Sequence, residues 1–380
     1  MNVEELRKDF PITQECAWLN HAAHTPPSNR VVGAMIDYLR KLQHEPKYSA
    51  ELGQIRDQVR QLAARLINAE PEEIAFIQNT STGISIAATS LDLKPGDNVV
   101  FTDMEYPANA YPWMNLERQK GVEARIIPNR EGGLTLEDLE KYVDSNTKVV
   151  AVSSVEFLTG FRTDLKKIGE FCKERGIYFV VDAIQSLGML PMDVKACQID
   201  ILATGGQKWL MGPGGIGFFY CRKDLIEKLT PIFAGASSVI NAEEFLDYDL
   251  TFLPDARRFQ TGSGNTVGMV GLGATVSFFL EVGVENIEKW TLYLTGLLAE
   301  QLQKYDYKIL SSLNPERRSA ILTFGVDDVN RAAIALKENN VVISVRGDGK
   351  GNRYIRVSPH CYNTEDEVLK VVDVLNKLRD

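Results

Sequence analysis

The chain has 380 residues, 44% of them apolar and 24% charged, and its formal net charge is −9 at pH 7. This length exceeds one ordinary domain, the composition is typical of a soluble globular protein, and the acidic balance argues against a surface for nucleic acid or anionic membrane. Five scattered cysteines without a CxxC pair predict reduced thiols in a cytoplasmic protein, and four histidines without ligand spacing argue against a metal site.

The first part of the chain predicts an irregular segment followed by two helices. The opening MNVEELRKDF is charged, so we expect no signal peptide. Residues 1–27 contain a double proline and no clear periodicity, which predicts irregular structure. Apolar residues at helical spacing then predict amphipathic helices at about Ser28–Gln43 and about Glu51–Ile67.

From Glu73 onward, short apolar runs rich in β-branched residues alternate with helical stretches. Such alternation predicts βαβ units and a mostly parallel sheet that is covered on both faces. The seven predicted strands lie at residues 74–78, 98–103, 122–128, 148–155, 177–182, 199–204 and 215–221.

The pattern shifts again after about residue 260. A polar loop, TGSGNT, precedes a long helical region at about Val267–Tyr305, and its apolar run Val267–Leu280 is too short to span a bilayer, so we expect a buried helix there. A smaller α+β domain is predicted by strands at 319–326, 341–346 and 354–358 and by helices at about 328–339 and 364–378. The expected division is an N-terminal segment, a large domain and a small domain, at residues 1–27, 28–265 and 266–380.

The stretch from Asp182 to Gly217 is the most informative about chemistry. Asp182 ends the apolar strand IYFVVD, which places a carboxylate at the edge of the sheet where ligands of open α/β sheets bind. Lys208 lies in the glycine-rich run GGQKWLMGPGG, which permits close backbone approach. A lysine can form a Schiff base with pyridoxal phosphate (PLP), and an acid can keep the pyridine nitrogen protonated. The pair predicts a PLP enzyme, although a solvated lysine and a strand-end cap are the ordinary alternatives.

A phosphate site is predicted at NTSTG (79–83), between a strand and an apolar helix. A helix amino terminus offers free N–H groups and the positive end of the dipole, and nearby hydroxyls can add donors. Plain helix capping is the alternative. Gln207 could reach the phosphate or hold its own loop, and Gln185 could bond the ring hydroxyl because it lies about one helical turn after Asp182.

Together, these motifs resemble the class V aminotransferase family of fold-type I PLP enzymes, which includes cysteine desulfurases, cystine C–S lyases, isopenicillin N epimerase and kynureninase. The likeness covers nearly the whole chain and rests on NTSTGI, MEYPANAYPW, VVDAIQS, GGQKW, FQTGSGNT and IRVSPHCYNTEDEV. It implies an α/β fold with a large domain around a mostly parallel seven-stranded sheet and a smaller α+β C-terminal domain. It also implies PLP as cofactor, a small amino acid as substrate, and a homodimer with a shared active site.

The resemblance also implies roles for individual residues. The implied cofactor contacts are the Schiff-base lysine and proton shuttle Lys208, the pyridinium partner Asp182, the ring-oxygen contact Gln185, the stacking Tyr106, and phosphate ligands Thr80, Ser81, Thr82, Gln207 and, from the other subunit, Ser263. The implied substrate contacts are the carboxylate-binding Arg356 and the amino-terminal Asn20, His21 and His24. A strand-end salt bridge stays an alternative for Arg356, and a plain loop position stays one for the two histidines.

Departures from the family pattern bear on the reaction. Desulfurases usually stack a histidine on the ring and place another just before the lysine, where this chain has Tyr106 and Gln207. Persulfide-forming desulfurases carry a cysteine on a loop before the carboxylate arginine, whereas VRGDGKGNRYIR (345–356) has none. Cys361 is predicted to be a buried structural thiol. A desulfurase that passes sulfur through a cysteine persulfide is therefore disfavoured.

Three hypotheses about function stay open. β-Elimination, as in a C–S lyase, needs only Lys208 to take the α-proton and assist the leaving group. The alternative is an epimerase of the isopenicillin N epimerase type or a class V aminotransferase, and epimerisation would need a second proton donor, such as Tyr106. A non-enzymatic protein that has kept the fold is disfavoured by the intact lysine, aspartate and arginine.

Overall fold

The computed structural model describes residues 1–45 and 52–379. The helices, in chain order, are α1 (Val3–Arg7), α2 (Asn29–His44), α3 (Leu52–Leu66), α4 (Thr80–Ser90), α5 (Tyr111–Lys120), α6 (Leu136–Tyr142), α7 (Leu165–Arg175), α8 (Lys223–Ile226), α9 (Thr266–Val282), α10 (Val284–Lys304), α11 (Val329–Glu338) and α12 (Glu365–Asn376). The strands are β1 (Ala17–Trp18), β2 (Ile74–Ile77), β3 (Asn98–Thr102), β4 (Glu123–Ile127), β5 (Thr147–Ser153), β6 (Tyr178–Asp182), β7 (Ile201–Gly205), β8 (Gly217–Cys221), β9 (Leu322–Phe324), β10 (Val341–Val342), β11 (Ser344–Gly347) and β12 (Arg353–Val357).

Strands β2 to β8 form one seven-stranded sheet in the order β2-β8-β7-β6-β5-β3-β4. Only β8 runs antiparallel to its neighbours β2 and β7 in this sheet. The reason is the short, helix-free connection from Gly205 to Gly217, since a parallel return needs a longer crossover. The prediction of an α/β fold around a mostly parallel seven-stranded sheet is confirmed.

Helices cover both faces of this sheet because successive side chains of each central strand point to opposite faces. Val149 and Ala151 of β5 pack into an apolar cluster with α4 and α5. Val150 and Val152 pack on the other face with α3, α7 and α9. With both faces covered, the loops at the carboxyl ends of the strands are the part of the sheet open to a ligand.

The C-terminal part of the chain builds a second sheet. Strands β11, β12 and β9 are antiparallel and pack against α10, α11 and α12. The N-terminal segment joins this part, because β1 pairs in parallel with β10 and Asn20 forms a bridge with Ser358. Helix α9 packs with the large sheet, whereas α10 packs with the small one apart from its first turn, where Val284 and Ile287 join the large core. The division at 1–27, 28–265 and 266–380 stays a prediction.

Local predictions differ from the structure at two places. Residues 1–27 contain α1 and β1, which the sequence pattern missed because β1 is two residues long and its partner strand comes from the other end of the chain. The helical region Val267–Tyr305 is two helices that meet at an 81° bend, where Gly283 has a φ of +80°. Glu51, the predicted start of the second helix, lies outside the described residues, as does Asp380.

In the described ranges, no single helix is long and apolar enough to cross a membrane. Helices α9 and α10 satisfy that length and composition only as a bent pair. The apolar residues of α9 lie in the core, as expected for Val267–Leu280, and include Met269, Leu272, Val276, Phe278 and Phe279.

Candidate active site

Asp182 is buried at the carboxyl end of β6. One carboxylate oxygen, Oδ1, accepts a hydrogen bond from the Ile184 N–H at 2.9 Å, and the other, Oδ2, has no partner among the described residues. Burial raises the pKa of Asp182 to about 6, although the Ile184 N–H and the charge of Lys208 act against this shift. A buried acceptor without a partner fits a cationic N–H of a bound ligand, such as a pyridinium.

Lys208 follows β7 in a loop that the N-terminal segment holds in place. Thr25 donates from its backbone N–H to the Gln207 carbonyl at 3.0 Å and from its hydroxyl to the Lys208 carbonyl at 2.7 Å. Burial lowers the pKa of Lys208 to about 8, with Asp182 opposing this effect and two arginines, Arg356 and Arg346, adding to it. Much of the amine is therefore neutral and nucleophilic at mildly alkaline pH.

Tyr106 lies in front of this lysine, after the end of β3. The centroid of its ring is 5.3 Å from Lys208 Nζ, and the ring makes an edge contact with Phe157 at 5.3 Å. The Tyr106 side chain is 45% exposed, so one side of the ring faces open space. The structure thus brings together Lys208 and the residue predicted to stack on the cofactor.

Arg356 is buried on β12 and has no carboxylate among its hydrogen-bond partners. Its Nε donates to Ser344 Oγ at 3.1 Å, its Nη1 donates to the Phe157 carbonyl at 2.5 Å, and Nη2 has no partner among the described residues. Burial first, and then the charge of Arg346, lower the pKa of Arg356 to about 9. A fixed guanidinium with a free buried N–H group fits a substrate carboxylate better than the alternative of a strand-end salt bridge.

Arg346 is a second cation at this site, and the sequence analysis missed it. On the antiparallel pair β11–β12, Ser344 lies opposite Arg356, so Arg346 is the diagonal neighbour on the same face. Burial lowers the pKa of Arg346, and the positive charge of Arg346 in turn helps to lower the pKa of Lys208. The sequence signal that could have identified it is the pair of short strand patterns SVR (344–346) and YIR (354–356), each of which carries an arginine.

The predicted phosphate site is a helix amino terminus with spare donors. The Asn79 side chain caps α4 by accepting from the Thr82 N–H at 2.9 Å and from the Thr82 hydroxyl at 3.2 Å. The buried Thr80 hydroxyl has no partner among the described residues, and the Ser81 side chain is exposed. The cap of α4 is therefore Asn79 and not one of the hydroxyl residues, and Thr80 and Ser81 stay available to a phosphate.

The two predicted cofactor ligands Gln207 and Gln185 differ in which of their polar atoms remain unpaired. Gln207 Oε1 is buried without a partner in the described part of the chain. Gln185 is engaged at both ends, since Oε1 accepts from Trp209 Nε1 at 2.8 Å and Nε2 donates to the Ala22 carbonyl at 3.0 Å. Only the second Nε2 hydrogen of Gln185 remains for a cofactor oxygen, and that contact stays a prediction.

The N-terminal residues lie close to the C-terminal segment. Asn20 bridges to Ser358, and its buried Oδ1 has no partner among the described residues. His21 is fully buried, with Nδ1 donating to the Ser358 carbonyl and Nε2 accepting from the Tyr362 hydroxyl, both at 2.7 Å. His24 is exposed. A substrate role for these residues stays a prediction, and for His21 it would require breaking one of two hydrogen bonds.

Ser263 lies in an exposed loop after the last strand of the large sheet. The loop borders an open cavity of about 710 Å³ whose opposite wall includes Gln78 and Thr82 at the start of α4. The predicted contact of Ser263 with a phosphate across a subunit boundary stays a prediction. In the described ranges, no group of three or more His, Cys, Asp or Glu side chains could hold a metal ion.

The unpaired groups fit PLP in type and in place. The unpaired oxygen of Asp182 suits the pyridine nitrogen, the Lys208 amine suits the aldehyde, and the free end of α4 suits the phosphate. Close packing holds the helix there: a Cβ on Gly83 of α4 would lie 2.5 Å from Ala203 Cβ on β7. The fold and these groups define a PLP-dependent enzyme of fold type I.

Comparisons with known proteins agree with this class. The Aminotransferase class-V family matches residues 17–371. A probable cysteine desulfurase of Pyrococcus abyssi is 33% identical over 393 residues, which cover 99% of this chain and 97% of the relative. An apo cysteine desulfurase structure from Thermococcus onnurineus has a TM-score of 0.92 at 28% identity, covering 100% and 98% of the two chains. The cystine C–S lyase C-DES, solved with its product cysteine persulfide, shares the fold with a TM-score of 0.87 at 23% identity over 96% and 98%.

The chain therefore belongs to the class-V aminotransferase family. The resemblance, the enzyme class and the PLP cofactor inferred from the sequence are confirmed, and the protein is a cysteine-desulfurase-like PLP enzyme. A non-enzymatic role is not supported.

Proposed function

We propose that this enzyme breaks the Cβ–S bond of a small sulfur-containing amino acid by β-elimination, without a persulfide on the protein. The observation that carries the proposal is the proximity of Lys208 to Arg356 and Tyr106, with no cysteine thiol among their contacts in the described residues. Bound PLP would supply an electron sink for the bond cleavage. Lys208 would take the α-proton at Nζ and can pass it to the leaving sulfur.

The substrate carboxylate would bind Arg356, whose Nη2 is buried and unpaired in the described part of the chain. Arg346 adds a second positive charge on the same face of β11–β12. Two guanidinium groups favour an anionic substrate, because a buried cation is stabilised most strongly when a carboxylate accepts its hydrogen bonds. We propose that Asp182, Thr80 and Ser81 hold the cofactor through the groups described for each, and that Gln207 donates to the phosphate from its Nε2 amide group.

The cysteines support elimination over transfer of sulfur to a protein thiol. Residues 345–356, which run from within β11 through the turn and into β12, contain no cysteine. Cys361 is buried next to His360, whose Nδ1 accepts a hydrogen bond from the Cys361 N–H at 2.7 Å, and burial holds the thiol pKa far above its ordinary range. A thiol that stays protonated and enclosed is a poor sulfur acceptor.

The test is the identity of the carbon product. The PLP-loaded protein is incubated with L-cysteine and, separately, L-cystine, and sulfur release, pyruvate and alanine are all measured. Elimination from cysteine consumes one water and gives sulfide, ammonia and pyruvate, so pyruvate should equal the sulfur released. Lys208→Ala should lose the activity by at least about 1,000-fold because it removes both the covalent anchor and the base. Elimination from cystine likewise consumes one water and gives pyruvate, ammonia and cysteine persulfide. Alanine as the main product would overturn the proposal in favour of desulfuration, and the absence of pyruvate with both substrates would also overturn it.

A second candidate function rests on Tyr106. Its ring centroid lies 5.3 Å from Lys208 Nζ, so a phenol is present beside the amine as a possible second proton donor. An epimerase of the isopenicillin N epimerase type would use both groups, and a class V aminotransferase would use Lys208 alone. In deuterium oxide, epimerisation predicts label at Cα together with loss of stereochemistry, whereas retention throughout would count against it.

We also propose that the enzyme is a cytoplasmic homodimer with its site shared between subunits. All five cysteines are free, which suits a reducing compartment. Several apolar side chains between residues 232 and 250 are more than half exposed, and such a patch is typical of an interface: Ile232, Phe233, Phe245, Leu246, Tyr248 and Leu250. This patch adjoins the loop of Ser263 across one cavity, which supports the idea that one subunit completes the site of the other.

A further inference from the structure

Glu156 lies in the loop that follows β5, beside the candidate active site. Two backbone hydrogen bonds close this loop, from the Glu156 N–H to the Phe161 carbonyl at 3.0 Å and from the Gly160 N–H to the Glu156 carbonyl at 2.9 Å. The next residue, Phe157, contacts both Tyr106 and Arg356. The loop therefore carries Glu156 into the neighbourhood of the groups that would hold the cofactor and substrate.

The Glu156 carboxyl group is buried without a hydrogen bond. Its exposed fraction is 1%, and neither Oε1 nor Oε2 has a partner among the described residues. The nearby Glu105 is different, because its two oxygens accept from Ser153 N–H and Oγ, both at 2.6 Å. A buried carboxyl group with two unsatisfied oxygens is costly, so its persistence calls for a partner that the protein itself does not supply.

The ionisable groups that raise the pKa of Glu156 are all carboxyl groups. Burial is the main cause that raises its pKa well above the ordinary value, and Glu105, Asp182 and Asp103 each add to the effect. Glu105 has its own pKa raised to about 8 by burial, so it too holds a proton near neutral pH and supplies no compensating positive charge. Under these conditions Glu156 carries its proton and is a hydrogen-bond donor without an acceptor.

The hydrogen-bond acceptor that we expect for Glu156 is a negatively charged oxygen of a bound ligand. Gln185, the predicted donor to the ring oxygen, already bonds Trp209 and Ala22. PLP and an amino-acid substrate both bring oxygen anions into this space, on the ring, the phosphate and the carboxylate. Glu156 has the free donor that such an oxygen would need.

We propose that Glu156 is a neutral carboxylic acid that donates a hydrogen bond to an anionic oxygen of the bound cofactor or substrate. This role adds a ligand-binding residue to the site, and its substrate arm rests on the proposed function. A protonated carboxylic acid can donate a hydrogen bond to such an oxygen, whereas an ionised carboxylate would repel it. The residue acts by binding, and the proton stays on Glu156.

Two substitutions test whether the hydrogen-bond donor of Glu156 contributes to ligand binding. Glu156→Gln keeps an N–H donor of nearly the same shape, and Glu156→Leu removes the donor. If the acceptor belongs to the cofactor, Glu156→Leu should weaken the apparent binding of PLP to the apo protein by about tenfold, as measured by the visible absorbance of bound PLP without any amino acid. Glu156→Gln should stay within about threefold of the wild type.

If the acceptor belongs to the substrate, PLP binding should be unchanged and the effect should appear with an amino acid. L-Alanine has no leaving group, so its binding can be followed through the visible band whether or not the elimination proposal holds. The dissociation constant of L-alanine should then rise about tenfold in Glu156→Leu and little in Glu156→Gln. Failure of the proposed reaction would therefore leave this test intact.

A matched control comes from Glu73, a buried carboxylate at the start of β2 whose oxygens are paired with the N–H groups of Glu70 and Lys223. Glu73→Leu should lower the melting temperature of the apo protein without changing ligand binding. Glu156→Leu should reduce the rise in melting temperature that PLP or L-alanine gives, while the apo protein should be at least as stable as the wild type, because it loses no hydrogen bond and no longer buries an unpaired carboxyl group. The proposal is overturned if neither Glu156 variant changes either affinity, or if Glu156→Gln weakens binding as much as Glu156→Leu.

Discussion

His360 shows how a single buried side chain can hold the loop of Lys208 in place. Its Nε2 donates to the carbonyl of Trp209, the residue after Lys208, at 2.9 Å, while its Nδ1 accepts from the Cys361 N–H. Protonation would place a second N–H on Nδ1, directly against that backbone N–H. The structure therefore needs neutral His360, and burial accordingly lowers its pKa to about 4.

This shift makes stability depend on pH with a definite sign. A histidine whose pKa is about 4 when folded and about 6.5 when unfolded binds more protons in the unfolded state between these values. Stability is therefore complete above about pH 6.5 and falls as the pH drops toward 4, by about 3 kcal/mol in total. Asp182 acts in the opposite direction, since its pKa is raised, and its contribution should cancel when two variants that both keep it are compared.

We expect this loss to disappear in His360→Gln, which keeps an N–H donor for the Trp209 carbonyl but cannot be protonated. Urea unfolding of the apo proteins at pH 7.5, 6 and 4.5 gives the free energies of unfolding. The advantage of the wild type over His360→Gln should shrink steadily as the pH falls. Parallel curves for the two proteins would show that His360 does not titrate on unfolding as proposed.

At the scale of elements, the position of α4 on the sheet decides whether its free end can receive a phosphate. Gly83 lets the helix approach β7 closely, because a Cβ at this position would lie 2.5 Å from Ala203 Cβ and 2.8 Å from Ile77 Cδ1. Helical glycine is normally a weakness, costing about 1 kcal/mol relative to alanine. Its presence in α4 therefore has a packing reason, which is the distance between helix and sheet.

Gly83→Ala should destabilise the protein by about 1–3 kcal/mol, because overpacking outweighs the gain in helix propensity. It should also weaken PLP binding, since moving α4 displaces Thr80 and Ser81. Gly33→Ala in α2 is the matched control: nothing lies within 4 Å of the added methyl group, so this variant should gain about 0.5–1 kcal/mol. Thermal melts and PLP titration check both, and equal behaviour of the two variants would contradict the packing argument.

For the whole molecule, alternation of strands and helices was enough to predict the α/β sheet, because a sheet covered on both faces leaves a continuous apolar signal in strands such as β5 and β6. Asp182 and Lys208 stood out in the sequence because Asp182 ends one such strand, β6, and Lys208 follows another, β7. Arg346 was missed because its position beside Arg356 depends on the pairing of β11 with β12. Glu156 was missed because only the folded structure shows that its buried carboxyl oxygens have no hydrogen-bond partner among the described residues. The pairing of β1 with β10 was missed because two residues carry no periodicity.

The largest-scale prediction concerns the exposed apolar patch between residues 232 and 250. Tyr248 is 91% exposed and Leu246 is 87% exposed, which is unfavourable unless a second surface covers them. We expect light scattering to give twice the mass of one chain, and Leu246→Ser combined with Tyr248→Ser to give a monomer with weakened PLP binding. Ile334→Ser is the control, because Ile334 is an exposed apolar residue on α11 outside the patch.

Mixed dimers test whether the second subunit completes the site. Lys208→Ala removes the lysine from one chain, and Ser263→Glu places a negative charge where the phosphate would meet the loop of the other. If Ser263 serves the partner's lysine, a dimer of these two chains contains one intact site, formed by the unaltered Lys208 and the unaltered Ser263. Activity should then return when both chains are produced together, up to half that of the wild-type dimer. If Ser263 serves its own chain, both sites are damaged and no activity returns, so the mixed dimer distinguishes a shared site from a dimer that merely covers its apolar patch.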